Sequence, residues 1–491
     1  MSRPVLPRPY PISVRFDNMV AGVLEGGGID PARFGPVGAA GPGAAAKEGD
    51  LARGFHEASR VVRSRRGRGV LGFLDLPDNR ALAARTLETA AELRGRFDNV
   101  VVVGIGGSAL GAAAMRDALL PPGWNELGAA ARGGHPRLYI LDNPDPDTTA
   151  GLLGRIDLSR TLFNVVSKSG STAETLAQFL VIRQRLSALE RRGGARDGRS
   201  RMRDHVVVTT GRNRGFLRRL ADEHDLRSLP VPANVGGRFS VLSPVGLFPS
   251  ALAGIDTAAV LEGAAGMVER CASPELLKNP AGILATLLHI ADTELGAAVQ
   301  VFMPYADRLK GLAYWVQQLW AESLGKAVRL DGTAAGSGPT PLPAFGAVDQ
   351  HSLLQLFMEG PRDKVVVFIA RGSTDVDLPI PRMNEEAPQV SHLGGCTLFE
   401  VLDCERIATA EALRRAGRPN MAVALDCIDA RSVGGLFMLF QIAVVYAGAL
   451  YGVDPMDQPG VELGKALTGG LMGRPGCERP TLPAPDPRWR V

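Results

Sequence analysis

FNVVSKSGSTAET, residues 163–175, reads as the end of a strand, a loop and the start of a helix. Val165 and Val166 close a short β-branched run, while Glu174, Thr175 and Leu176 begin helical text, so Ser167 to Thr172 form the turn between them. A loop of this kind aims backbone N–H groups and the positive end of a helix dipole at one point. Ser167, Ser169, Ser171 and Thr172 add hydroxyl donors and Lys168 adds a charge. The guest predicted for such a loop is a phosphate.

Outward from this stretch, NVVVVGI (99–105), RLYILDN (137–143), HVVVTT (205–210) and LRSLPVP (226–232) read as further strands separated by longer helical segments. That alternation is the pattern of a parallel sheet covered by helices on both faces. A second unit repeats it, with AAVQVFMPY (297–305), DKVVVFIA (363–370) and NMAVALD (420–426) as strands. The predicted fold class is therefore α/β, with two parallel-sheet units at residues 96–265 and 266–472. Residues 1–95 read as a helical extension after a Pro- and Gly-rich lead, and 473–491 as an irregular Pro-rich tail. The basic, Gly-containing stretch ERRGGARDGRSRMRD (190–204) reads as a solvated loop, because no aromatic residue interleaves its charges.

Composition narrows the partners. The 491 residues carry 55 Lys and Arg against 51 Asp and Glu, a net charge of +4, which is too weak per residue for a nucleic-acid or membrane-coating surface. Cys271, Cys396, Cys404, Cys427 and Cys477 are scattered without metal-ligand or disulfide spacing, so neither a metal site nor a disulfide framework is expected and a reducing cytoplasm fits; no cofactor is expected either. Prolines interrupt MSRPVLPRPYPI before a secretory apolar region could form. Residues 434–453 are apolar enough to raise the question of a membrane span, yet they include Gln441 and are equally consistent with a core helix.

Gly104, Gly106 and Ala109 in VVGIGGSALG (102–111) satisfy a loose dinucleotide pattern. The acidic residue that would hold a ribose is missing from its expected place: Glu126 falls in turn-like text and the next strand ends only at Asp142. The alternative is a close approach of Gly107 and Ser108 to a sugar phosphate shared with the 167–172 loop, both loops meeting beyond the carboxyl edge of one sheet.

VVGIGGSALG, SKSGSTAET (167–175), GGRFSVLSPVGLFP (236–249), LWAESLGK (319–326), GAVDQHSLLQ (346–355) and DQPGVELGK (457–465) together resemble, in order, the signature of the glucose-6-phosphate isomerase family. The resemblance implies two SIS-type three-layer αβα domains and interconversion of glucose 6-phosphate and fructose 6-phosphate through an enediol. It assigns Glu322 as the base at carbon 2, a role that burial would favour by raising the carboxyl pKa. Arg238 is assigned to stabilise the enediol charge, and His351 and Lys465 to open the sugar ring. Ser108, Ser167, Lys168, Ser169 and Thr172 would hold the phosphate, with Gly107 and Gln458 touching the sugar. The same resemblance implies a homodimer in which His351 reaches the partner's site.

Three residues depart from the common pattern: Leu324 where asparagine is frequent, Asp349 where glycine is frequent, and Pro459 where tryptophan is frequent. The remaining histidines, His56, His135, His205, His224, His289 and His392, match no motif and read as structural. Two other readings stay open: a non-catalytic sugar-phosphate-binding protein of SIS fold, and an isomerase that also accepts mannose 6-phosphate.

Overall fold

The computed structural model describes residues 11–35, 49–193 and 201–490. Most of MSRPVLPRPYPI and the centre of the 190–204 connection lie outside the described residues. A strand, β1 (Ile12–Arg15), is followed by two helices, Asp50–Gly67 and Arg80–Leu93. The first sheet then forms from β2 (Asn99–Val103), β3 (Arg137–Leu141), β4 (Thr161–Ser167), β5 (Val206–Thr210) and β6 (Arg227–Pro230) in the order β3-β2-β4-β5-β6. Every neighbouring pair in it is parallel, and Val103 lies opposite both Leu141 and Val165. Each of these strands matches one read from the sequence. The runs are rich in valine because β2, β4 and β5 are buried on both faces, where each aliphatic side chain contributes about 1.5–3 kcal/mol.

Further along come β7 (Val299–Pro304), the hairpin strands β8 (Lys326–Val328) and β9 (Ala334–Ser337), β10 (Thr340–Pro343), β11 (Lys364–Arg371) and β12 (Asn420–Leu425). The second sheet has the order β1-β12-β11-β7-β10. Its three central strands are those expected, whereas both edges are additions. β1 comes from the segment read as a helical extension and pairs antiparallel with β12, Ile12 opposite Leu425. β10 carries Pro341 and Pro343, and proline, having no N–H to give a ladder, is confined to such an edge. The 190–204 stretch also differs from expectation at its ends, since the helix Ala173–Gly193 enters it and the helix Arg201–His205 leaves it.

The helix Ala430–Tyr451 is long and apolar enough to cross a membrane, yet it is buried along nearly its whole length, packed against the helices Thr257–Arg270 and Pro280–Thr293. Its Gln441 is fully buried and donates from Nε2 to the Phe239 carbonyl at 3.0 Å, tying this core helix to the GGRFS turn. A buried amide needs such a partner. The five cysteines are unbridged.

Candidate functional site

The parallel pairing of β2 with β4 brings their following loops side by side. In the loop after β4, the Ser167 hydroxyl lies 2.8 Å from that of Thr172 and 3.4 Å from that of Ser169, three hydroxyls gathered before the N-terminus of the helix Ala173–Gly193. Gly170 makes this ring possible. Its φ of 66° is in the left-handed region, and its N–H donates back to Ser167 Oγ at 3.1 Å. Lys168 Nζ donates to the Ala233 carbonyl at 2.9 Å, and burial, with Arg214 nearby, lowers the pKa of its ammonium.

In the loop after β2, a Cβ on Gly107 would stand 2.4 Å from the Gly237 carbonyl oxygen and 2.6 Å from Arg238 N. The GGRFS turn thus packs directly against Gly107, which is why this position carries no side chain. Gly106 in turn lies against Gln318, where a Cβ would come within 2.8 Å of Nε2.

Arg238 is the hub. Its side chain is 1% exposed; Nε donates to Ser323 Oγ at 2.7 Å, Nη1 to Gln458 Oε1 at 2.7 Å and Nη2 to the Asp457 carbonyl at 2.9 Å, with a further bond to the Pro455 carbonyl. Nη1 also lies 3.5 Å from Glu322 Oε2. Burial pulls the pKa of the guanidinium down, and Glu322 is the largest influence opposing that. Glu322 itself sits on the helix Lys310–Leu324, behind fully buried Trp315, Val316, Leu319 and Trp320, which fix its orientation. The GGRFS turn, the Glu322 helix and the Gln458 loop therefore meet at one guanidinium.

The structure does not bring every residue of the set into that cluster. His351 ends a short 3-10 helix, Val348–His351, is exposed, and makes no side-chain hydrogen bond or ion pair among the described residues. Lys465, 59% exposed on the helix Glu462–Leu471, pairs only with Glu462 among the described residues, at 2.7 Å. Ser108 lies in the 3-10 turn Gly106–Ser108, half-buried, in the loop neighbouring 167–172. The three departures each have a visible structural setting. Asp349 accepts from Phe345 N and from the Ser352 hydroxyl, each at 2.7 Å, and so braces the turn that carries His351. Leu324 is fully buried in the main apolar core. Pro459 begins a 3-10 turn directly after Gln458, where a fixed φ is suitable.

Two residues that the motifs did not single out belong to the cluster. Gln318, one helical turn before Glu322, donates to its carboxylate at 3.3 Å, while its Oε1 is buried without a partner among the described residues. The i, i+4 spacing is the signal that points to it. Lys326, its side chain 5% exposed, donates from Nζ to the Glu322 carbonyl at 2.9 Å and to the Asp457 carbonyl at 2.7 Å, and lies 3.1 Å from Asp457 Oδ1. It clamps the end of the Glu322 helix to the loop that supplies Gln458. Lys326→Met is expected to lower kcat about 10- to 100-fold with little change in KM, because small misplacements of reacting groups are costly. Lys326→Arg should recover part of that loss. Steady-state kinetics on the two variants checks this, and an unchanged kcat in the methionine variant would exclude the role.

Among the described residues no group of three or more His, Cys, Asp or Glu is placed to hold a metal. Residues 88–476 match the family model for phosphoglucose isomerase. Glucose-6-phosphate isomerase of Rubrobacter xylanophilus is 47% identical over 82% of this chain and 90% of its own length. The corresponding protein of Thermus thermophilus is 39% identical over 87% of this chain and 96% of its own. Among solved structures, a hypothetical protein from Thermus thermophilus superposes with a TM-score of 0.76 at 38% identity, covering 86% of this chain and 96% of that one. A Chlamydia trachomatis glucose-6-phosphate isomerase superposes at 0.68 over 90% of this chain and 82% of that one; at 23% identity it speaks for the fold alone.

Proposed function

The chain belongs to the phosphoglucose isomerase family, and on that premise we propose that it is a glucose-6-phosphate isomerase whose phosphate end and reacting end are supplied by different units. Residues 96–265 supply the phosphate site: Ser108, Ser167, Lys168, Ser169 and Thr172, at a helix N-terminus that favours an anion. Residues 266–472 supply the base, Glu322, and Arg238 reaches it from the first unit. The observation that carries this reading is the 3.5 Å approach of Arg238 Nη1 to Glu322 Oε2, which puts a fixed cation beside a carboxylate where the two units meet.

The chemistry follows from those positions. With the phosphate anchored, His351 and Lys465, which lie outside the cluster within one chain and are assigned by their motifs, move the protons that open the ring. Glu322 takes the proton from carbon 2 and returns it to carbon 1, so that no net oxidation and no cofactor is required. Negative charge grows on the enediol oxygens during this transfer, and Arg238, held in place beforehand, stabilises it without reorganising. Gln318, Gly107 and Gln458 flank the same carbons, and the unpartnered Oε1 of Gln318 is an acceptor suited to a sugar hydroxyl.

The working form in this proposal is a cytoplasmic homodimer. An exposed His351 with no partner among the described residues is consistent with its acting in a partner's site, and the helix Glu462–Leu471 leaves Leu463, Leu467 and Leu471 uncovered beside Lys465. Sugar phosphate is the small-molecule partner. A coupled assay of the purified protein on fructose 6-phosphate, with mannose 6-phosphate in parallel, tests the reading. Turnover of fructose 6-phosphate is expected. Turnover of both sugars would make the enzyme dual-specific, and binding without turnover of either would make it a sensor of SIS fold.

A further inference from the structure

A second basic feature lies on the same edge of the first sheet. Arg85 from the helix Arg80–Leu93, Arg212 from the turn after β5, Arg218 from the helix Phe216–Glu223, and Ser228 and Pro230 of β6 line a cleft of about 110 Å³. Arg85 Nη2 donates to the Ser228 carbonyl at 3.1 Å and Arg218 Nη1 to the Ser228 hydroxyl at 2.9 Å, so two guanidinium groups are drawn to one residue. Arg218 is neutralised by Asp222, with Nε 3.1 Å from Oδ2. Arg85 and Arg212 have no carboxylate partner among the described residues, and Arg212 makes no side-chain hydrogen bond among them either. Arg85 and Arg212, both exposed, therefore bring uncompensated positive charge to the rim of one hollow, which favours an anion there. The hollow is lined mainly by guanidinium groups, and guanidinium forks match the oxygens of a tetrahedral oxyanion.

The turn that carries Arg212 is also fastened to the phosphate loop. Gly211 N donates to the Lys168 carbonyl and Leu217 N to the Gly170 carbonyl, both at 3.1 Å. A Cβ on Gly215 would stand 2.3 Å from the Ser169 carbonyl oxygen, so the two loops are in direct backbone contact.

We propose that Arg85, Arg212 and Arg218 form a second anion site, for the phosphoryl group of a phosphate monoester or free phosphate, coupled through the 211–215 turn to the loop that holds the sugar phosphate. The site rests on the isomerase reading only in its coupling; its binding of an anion does not. Equilibrium dialysis with labelled inorganic phosphate on the Ser167→Ala, Thr172→Ala variant, whose first site has lost two of its hydroxyls, should still show one phosphate bound per chain. Glycerol phosphate used as competitor distinguishes the sources: displacement of the label assigns the cleft to monoesters as well, and no displacement restricts it to free phosphate. Arg212→Gln, which removes no hydrogen bond among the described residues, should weaken this binding at least tenfold, and Arg85→Gln together with Arg212→Gln should abolish it while the thermal transition is kept. In the wild type, phosphate should also change kcat for fructose 6-phosphate, an effect that pure competition cannot produce and that the double variant should lose. No phosphate bound when the first site lacks those hydroxyls, or undiminished binding when the arginine substitutions are added to that variant, overturns the second site. Binding that persists in a chain without isomerase activity would overturn only the isomerase reading.

Discussion

Glu322→Gln is expected to lower kcat about a hundred- to ten-thousand-fold, the range over which a positioned general base acts, while KM for fructose 6-phosphate stays within about threefold. Glutamine has the shape of glutamate, so packing of the helix Lys310–Leu324 and the contact with Gln318, 3.3 Å away in the wild type, are kept, and on the proposed mechanism what the variant loses is proton transfer. Arg238 loses an ion-pair partner at 3.5 Å but keeps Ser323, Gln458 and the carbonyls of Pro455 and Asp457, so the variant should fold. Deuterium exchange at carbon 2 of the sugar in heavy water separates this from a defect in ring opening. The wild type should exchange that hydrogen with solvent during turnover and the variant should not. Full activity in the glutamine variant would move the base elsewhere.

The parts of the fold that were legible in the sequence are those where burial is complete on both faces. β2, β4, β5 and β11 are runs rich in β-branched residues because little that is polar is tolerated on either side. The edges were not legible for the opposite reason. β1 is four residues long and only Ile12 in it is buried, and β10 alternates with proline, so neither carries a period that stands out from irregular chain. At the site, the ordered motifs pointed to residues from both units, and the structure brings Gly107, Arg238, Glu322 and Gln458 into one cluster. Lys326 lies within LWAESLGK, yet no pattern in the sequence marks it as buried; only the tertiary fold shows that the Asp457 loop covers it. The same tertiary packing explains Leu324, whose polar counterpart in the family pattern would meet an apolar core.

Arg238→Lys separates charge from geometry at the hub, and the expected result is a fall in kcat of about a hundredfold or more with retained charge. A lysine ammonium is one point with three donors, whereas Arg238 spreads its donors over Nε, Nη1 and Nη2 to reach Ser323, Gln458, Pro455 and Asp457 at once. At least one of those acceptors must go unpaired, at about 1–3 kcal/mol for a buried group. A lower melting temperature is therefore expected together with the kinetic defect. The two effects have different signatures. Loss of stability alone lowers the amount of active enzyme and can be reversed by cooling the assay, whereas loss of a donor aimed at the enediol lowers kcat at every temperature below the transition. If the lysine variant, assayed well below its transition, keeps wild-type kcat, then positive charge near Glu322 suffices and the fork geometry belongs to folding. If kcat falls while KM holds, the guanidinium acts on the transition state, and the four bonds that immobilise it are the means by which the protein avoids reorganising as the charge develops.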